Sequence, residues 1–217
     1  AHLIKKELID NLEENLNIFR ENAERKGIIV KTAGDAAEAN RMVQDIIQEH
    51  QGKMVVKAKS MLTEEIDLNK NLQKAGVEVW ETDLGEFILQ LADEPPSHLI
   101  GPAIHKSKEE IAQLFSEKIG AKNDPTPEYL TMVAREYMRE KYLNADIGIT
   151  GANFVVRDKG SIVLMENEGN IRLSYSNPKV HIALMGIEKM IPDFKDLSLF
   201  IPLLSVSANG QKTTGYM

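Results

Sequence analysis

Apolar residues recur at spacings of three and four at Leu8, Leu12, Leu16, Phe19 and Ala23, so residues 1–26 read as an amphipathic helix that stops at Gly27. The short β-branched cluster Ile28-Ile29-Val30 predicts a buried strand. Asp35 stands at a helix start, Ala39, Met42, Val43, Ile46 and Ile47 share the apolar face, and Gly52 ends that helix before a strand at Met54-Val55-Val56. A helix from about Thr63 to Ala75, a strand Val77-Glu78-Val79-Trp80, a helical piece from Phe87 to Leu91 and a strand Leu99-Ile100 continue the alternation. A β-α-β-α order of this kind implies a mostly parallel sheet covered by helices on both faces.

Ser107 and Glu110 have capping-box spacing and Thr126-Pro127 marks a second start, which predicts helices over 108–119 and 127–143. From Asp146 the texture becomes β-rich: Ile147-Gly148-Ile149, Phe154-Val155-Val156 and Ser161 to Met165 read as strands, with a hairpin turn at Arg157-Asp158-Lys159-Gly160. These add antiparallel strands to the sheet. Val180 to Met185 is a further strand, and a last helix runs from Leu197 to Leu204 with Pro192 and Pro202 limiting its ends. The fold class is therefore α/β, a mostly parallel sheet flanked by helices with added antiparallel strands, preceded by an N-terminal helix. One domain spans 1–217: the N-terminal helix (1–26), β/α repeats (28–120), a connector and helix (121–145), and a β-rich half with a final helix (146–217).

Composition narrows the function classes. The 217 residues can bury roughly 70% of their unfolded surface without an external staple. The absence of cysteine excludes disulfides and any cysteine-ligated zinc or iron-sulfur centre within these residues. A formal charge of -7 offers no basic field for a nucleic-acid backbone. No apolar run approaches the roughly 20 residues that cross a bilayer, and the first residues do not form a signal-peptide core, so the expected location is the cytoplasm. The Gly/Thr-rich end, with no closing helix or strand, reads as the edge of an excised piece.

Several positions can carry chemistry, each beside a plainer structural role. Lys57, Lys59 and the backbone N–H groups of Ser60 and Met61 lie between a strand end and a helix start, where a carboxylate or phosphate can sit; Glu64 and Glu65 in the same turn oppose it, and a capped helix with solvated lysines is the plain alternative. Thr150-Gly151-Ala152-Asn153 follows a strand, and its small residues admit a ligand close to the backbone or form a bulge. Glu166-Asn167-Glu168-Gly169-Asn170 leaves acid and amide groups at a strand mouth, or makes an ordinary turn. Asp83 and Glu86 can meet ligand hydroxyls and Arg172 a carboxylate. His98, His105 and His181 stand near strand ends as proton donors or anion contacts, without a metal-ligand spacing. Met61, Met132, Met138 and Met185 fall on apolar faces as core filler.

Three blocks together resemble the lactate utilization protein B family of LUD domains. They are Lys57-Ala58-Lys59-Ser60-Met61-Leu62-Thr63-Glu64-Glu65 running on to Glu81-Thr82-Asp83-Leu84-Gly85-Glu86; Pro96-Ser97-His98-Leu99-Ile100-Gly101-Pro102-Ala103-Ile104-His105-Lys106; and Gly148 to Asn153 through Glu166 to Asn170 to His181-Ile182-Ala183-Leu184-Met185-Gly186. The resemblance covers nearly the whole chain and implies a fold similar to the NagB/RpiA/CoA transferase-like group of sugar-phosphate isomerases and CoA transferases. It further implies an iron-sulfur subunit in L-lactate oxidation, with cysteine-bound [4Fe-4S] clusters in a part following this domain, no cofactor within it, other lactate-utilization subunits as partners, and a homo-oligomer as a further possibility. The domain's own role is then to hold a partner or an anionic ligand (carboxylate, phosphate or CoA). In CoA transferases of similar fold a strand-end glutamate attacks the acyl group, and Glu166 is the position that looks closest to it, an inexact match because Glu168 separates Asn167 from Gly169. A self-contained transferase or isomerase using Glu166 is the alternative, and a structural module docking through its N-terminal helix is another.

Overall fold

A computed structural model describes residues 1–98, 101–166 and 168–211. The elements in chain order are α1 (His2–Asp10), α2 (Leu12–Glu24), α3 (Ala36–Glu49), β1 (Met54–Lys57), α4 (Met61–Glu65), α5 (Leu68–Lys74), β2 (Glu78–Glu81), α6 (Leu84–Ala92), α7 (Lys108–Ile119), α8 (Pro127–Asn144), β3 (Ile147–Thr150), β4 (Phe154–Val156), β5 (Ser161–Val163), α9 (Asn170–Ser176), β6 (Val180–Ala183), β7 (Met190–Ile191) and α10 (Leu197–Asn209). The expected strand at Leu99-Ile100 and the position of Asn167 lie outside the described residues.

Four strands form a wholly parallel sheet in the order β2-β1-β3-β6. Alternation sorts their side chains. Val55, Val79, Ile147, Ile149 and Ile182 pack under Val43 and Ile47 of α3 and Leu68 and Leu72 of α5. Val56, on the opposite face, packs with Phe87 of α6, Phe115 of α7 and Met138 of α8. Helices thus cover both faces, as a buried parallel sheet requires. On the second face α9 crosses Gly148 so closely that a Cβ there would stand 1.7 Å from the Ser174 carbonyl oxygen.

The antiparallel strands do not extend this sheet. β4 and β5 pair antiparallel, β7 pairs parallel with β4, and the three make a sheet of their own in the order β5-β4-β7. One side is closed by Leu197 and Phe200 of α10. The other is closed by Leu8 of α1 and Phe19 and Ala23 of α2 around Val155 and Met190.

Local differences from the sequence reading have local causes. The N-terminal helix is broken at Asn11 (φ -124°, ψ 40°), whose side chain donates to the Glu7 carbonyl. The expected helix over 63–75 divides at Asp67, which adopts a left-handed conformation (φ 51°). Ile28 to Val30 forms no strand: Ile29 is 83% exposed, and Val30 packs instead against the small sheet's core. Pro202 lies inside α10 rather than at its end. Removing one ladder hydrogen bond is tolerated there because the helix is held by its packed inner face. Met138 is in the core, whereas Met61 and Met132 are surface residues, 45% and 46% exposed.

Candidate functional site at the carboxyl edge of the parallel sheet

The strand order reverses at β1, so the chain leaves β1 towards one neighbour and reaches β3 on the other side. Such a switch point opens a crevice at the carboxyl ends of the two strands. The segments that follow β1 and β3 meet there. A Cβ on Gly151 would lie 2.8 Å from Ser60 Oγ, so the space beside this glycine is taken by the Ser60 side chain. The Ala58 N–H donates to the Ile149 carbonyl at 2.8 Å and holds the two segments in register.

The strand ends carry buried charge. Lys57 (1% exposed) pairs with Glu81 (4%) across β1 and β2, Nζ to Oε1 2.9 Å, and donates to Thr63 Oγ1 at 3.1 Å. The parallel register places Lys57 opposite Glu81, which makes this pairing a product of topology. Asn69 of α5 donates to the same Glu81 oxygen at 2.5 Å, leaving Glu81 Oε2 and Asn69 Oδ1 buried without hydrogen-bond partners. Lys59 Nζ stands 3.8 Å from Glu86 Oε1. Burial, reinforced by Glu64 and Glu81, pushes the Glu86 carboxyl up to about 7 against the pull of Lys59 and Lys57. Burial also raises Glu64, whose carboxyl hydrogen-bonds to that of Glu86.

The second acidic segment reaches the same rim. Glu168 is raised by burial and by Asp83, while it accepts a hydrogen bond from the Leu84 N–H and feels Lys59. Asn170 Nδ2 donates to the Thr82 carbonyl at 3.3 Å. Below them Thr82 Oγ1 lies 3.4 Å from Ser174 Oγ, and burial pushes the neighbouring Tyr142 phenol up to about 12. Glu166 is held by Arg172, whose Nε and Nη2 donate to Oε1 at 3.1 and 3.0 Å and whose backbone N–H donates to Oε2 at 2.9 Å.

Lys57, Lys59, Ser60, Met61, Asp83, Thr150 and Gly151 therefore belong to one rim, with Gly169, Arg172 and Glu166 beside it at the start of α9. Several have local structural duties. Asp83 accepts from the Glu86 N–H as the cap of α6. Gly169 (φ 79°) precedes the first residue of α9. Ala152 packs against the small sheet's core, and Asn153 Oδ1 accepts from the Met165 N–H at 2.7 Å. The histidines do not gather. His181 pairs with Thr150 Oγ1 at 2.8 Å beside Tyr175, and partial burial lowers its pKa. His98 and His105 lie on the loop before α7, where His105 joins Ser97 and Glu94. Among the described residues no group of three or more His, Cys, Asp or Glu side chains can hold a metal ion. Of the buried members, Glu81 and Thr63 stand in the first resemblance block with no site role assigned, and Ser174 was not singled out. A charged residue ending each of two buried strands was the available signal.

The LUD domain family matches residues 16–217. The chain belongs to that family. It is similar to lactate utilization protein B of Bacillus licheniformis, 46% identical over 218 residues that cover 100% of this chain and 46% of that protein. The Bacillus subtilis protein of the same name is 46% identical over 215 residues, 99% of this chain and 45% of the relative, and that of Geobacillus thermodenitrificans is 47% identical over 218 residues, 100% and 46%. The chain spans about half the length of these relatives. No solved structure matches it. In this LUD domain no helix among the described residues is long and apolar enough to cross a membrane.

Proposed function

We propose that this chain is the LUD domain of an iron-sulfur subunit serving the oxidation of L-lactate to pyruvate in a multi-subunit complex, and that its carboxyl rim holds a small anionic ligand. The observation that carries the reading is identity of 46% over the full length of the chain to proteins named lactate utilization protein B. The residues present do not fit a cysteine-ligated iron-sulfur cluster, since the chain has no cysteine. The rim has the polarity a hydroxy or oxo acid needs: Lys59 offers a cation, while Glu86 and Glu168, both raised by burial, offer acceptors or a proton for the oxygen function. Docking of other subunits at the same rim is compatible with that role.

Loss of the gene leaving growth on lactate intact, with no cluster absorbance in the purified full-length protein, would sink the first half of the proposal. Isothermal titration of the chain with lactate, pyruvate, CoA and sugar phosphates tests the second half. Heat for at least one, reduced at least about tenfold in affinity by Lys59→Met, is expected; silence for all four would remove ligand binding. A second reading, an acyl-transferring enzyme with Glu166 as nucleophile, draws support from the burial of that side chain, 7% exposed, against an oriented guanidinium. Turnover of acyl-CoA by the chain alone, abolished in Glu166→Gln, would favour it.

A further inference from the structure

Helix α10, LSLFIPLLSVSAN, has no charged residue along its 13 positions. Its inner face is accounted for: Leu197 and Phe200 are buried on the small sheet, with Ile201 and Leu204 packed beside them. The outer face carries Leu199 (41% exposed), Leu203 (46%) and Val206 (54%), at steps of four and three residues that align them in one stripe. Phe194, 45% exposed, stands on the turn that leads into the helix. By contrast, the outward positions of α8 include Glu128, Arg135, Glu136, Arg139 and Glu140. A helix that meets water on one side usually carries charged or polar residues across that side; α10 has Ser198 and Ser207 flanking its exposed apolar stripe and no charge.

We propose that the outer stripe of α10 is an internal docking surface, covered in the full-length protein by the portion that this chain does not span. The relatives are about twice as long, with 46% of the Bacillus licheniformis protein accounted for, so a tethered occupant of ample size is at hand. A covalently attached segment meets the stripe at an effective concentration on the order of millimolar, ahead of any separate molecule. A second copy is the weaker occupant, because each chain carries a formal charge of -7 and two copies repel. The inference is independent of the rim and of its ligand.

Amide hydrogen exchange of residues 197–209 in the 217-residue chain and in the full-length native protein tests it. The helix amides should exchange at least about tenfold more slowly in the full-length protein. The double variant Leu199→Asp/Leu203→Asp should erase that difference while leaving the melting temperature of the 217-residue chain unchanged, which separates lost docking from lost folding. Equal exchange in the two proteins would overturn the proposal, as would a native gene product no longer than this chain. A concentration-dependent dimer of the 217-residue chain, seen by sedimentation and abolished by the double variant, would overturn it by assigning the stripe to a second copy.

Discussion

The two sheets of this molecule finish in opposite ways. The parallel sheet ends in charge that has been taken out of water: Lys57, Glu81 and Glu86 are each at most 6% exposed, Lys57 and Glu81 are held by each other, and Glu86 stands beside Lys59. The small mixed sheet ends in hydrocarbon, closed on one side by α1 and α2 and on the other by α10. The first arrangement depends on every partner being present, because a buried charge stripped of its counter-ion cannot be solvated. The second depends on volume. Polar chemistry is concentrated at the former, and the latter behaves as a support.

The largest test of this contrast is Lys57→Met. It strands the Glu81 carboxylate and should cost about 3–5 kcal/mol in urea unfolding, while adding Glu81→Leu should recover much of the loss. A double variant as unstable as the single one would refute the pairing. On the other sheet, Met190→Ala removes a side chain that is 2% exposed and should cost about 2–4 kcal/mol, with no second change able to restore it except one that refills the space. Gly148→Ala probes the helix over the parallel sheet: the collision with the Ser174 carbonyl forces α9 outward, at a cost of about 1–3 kcal/mol and with faster hydrogen exchange in residues 170–176. Glu166→Gln keeps the shape but weakens the link to Arg172, and thermal unfolding should report a loss of about 1 kcal/mol.

The finest distinction lies in pH. The Glu86 carboxyl is raised in the folded state from 4.5 to about 7, so the folded protein holds a proton that the unfolded chain has lost across that window. Its contribution is full below pH 4.5 and disappears as pH rises through 7, and Glu64 acts in the same direction. Lys5, beside the small sheet, is lowered from 10.5 to about 8 by burial and by Lys189, so between those values the unfolded chain holds the extra proton and stability rises with pH. Melting curves of the wild type, Glu86→Gln and Lys5→Met should separate the two windows. An unchanged slope between pH 4.5 and 7 in Glu86→Gln would show that the folded protein does not hold a proton on Glu86 through that window.

Much of the scaffold was legible because the signals were local. The helix at Lys108–Ile119 has its capping box at Ser107 and Glu110, and the strands β1 and β3 are uninterrupted apolar runs. What escaped depends on distant partners. The polar segment of α9 becomes a helix because Gly148, more than 20 residues away, leaves room for it. Ile28 to Val30 looks like a strand but has no neighbour to pair with, and a strand is a property of two segments. The rim was half legible: the order of Lys57, Lys59, Ser60 and Gly151 located it, whereas the pairing of Lys57 with Glu81 follows from the parallel register and the approach of Glu86 to Lys59 from α6.

Leu8, Phe19 and Ala23 form the lid of the small sheet, and Lys5 Nζ donates to the Glu188 and Met190 carbonyls at 2.7 and 2.6 Å. The LUD domain match begins at residue 16, partway through α2, although the relatives align over the residues before it as well. A fragment trimmed to that point would therefore begin in mid-helix, keep Phe19 and Ala23, and lose Leu8 and Lys5 from the cover over Met190. Boundaries for recombinant work on this domain should follow the packing and start no later than residue 2.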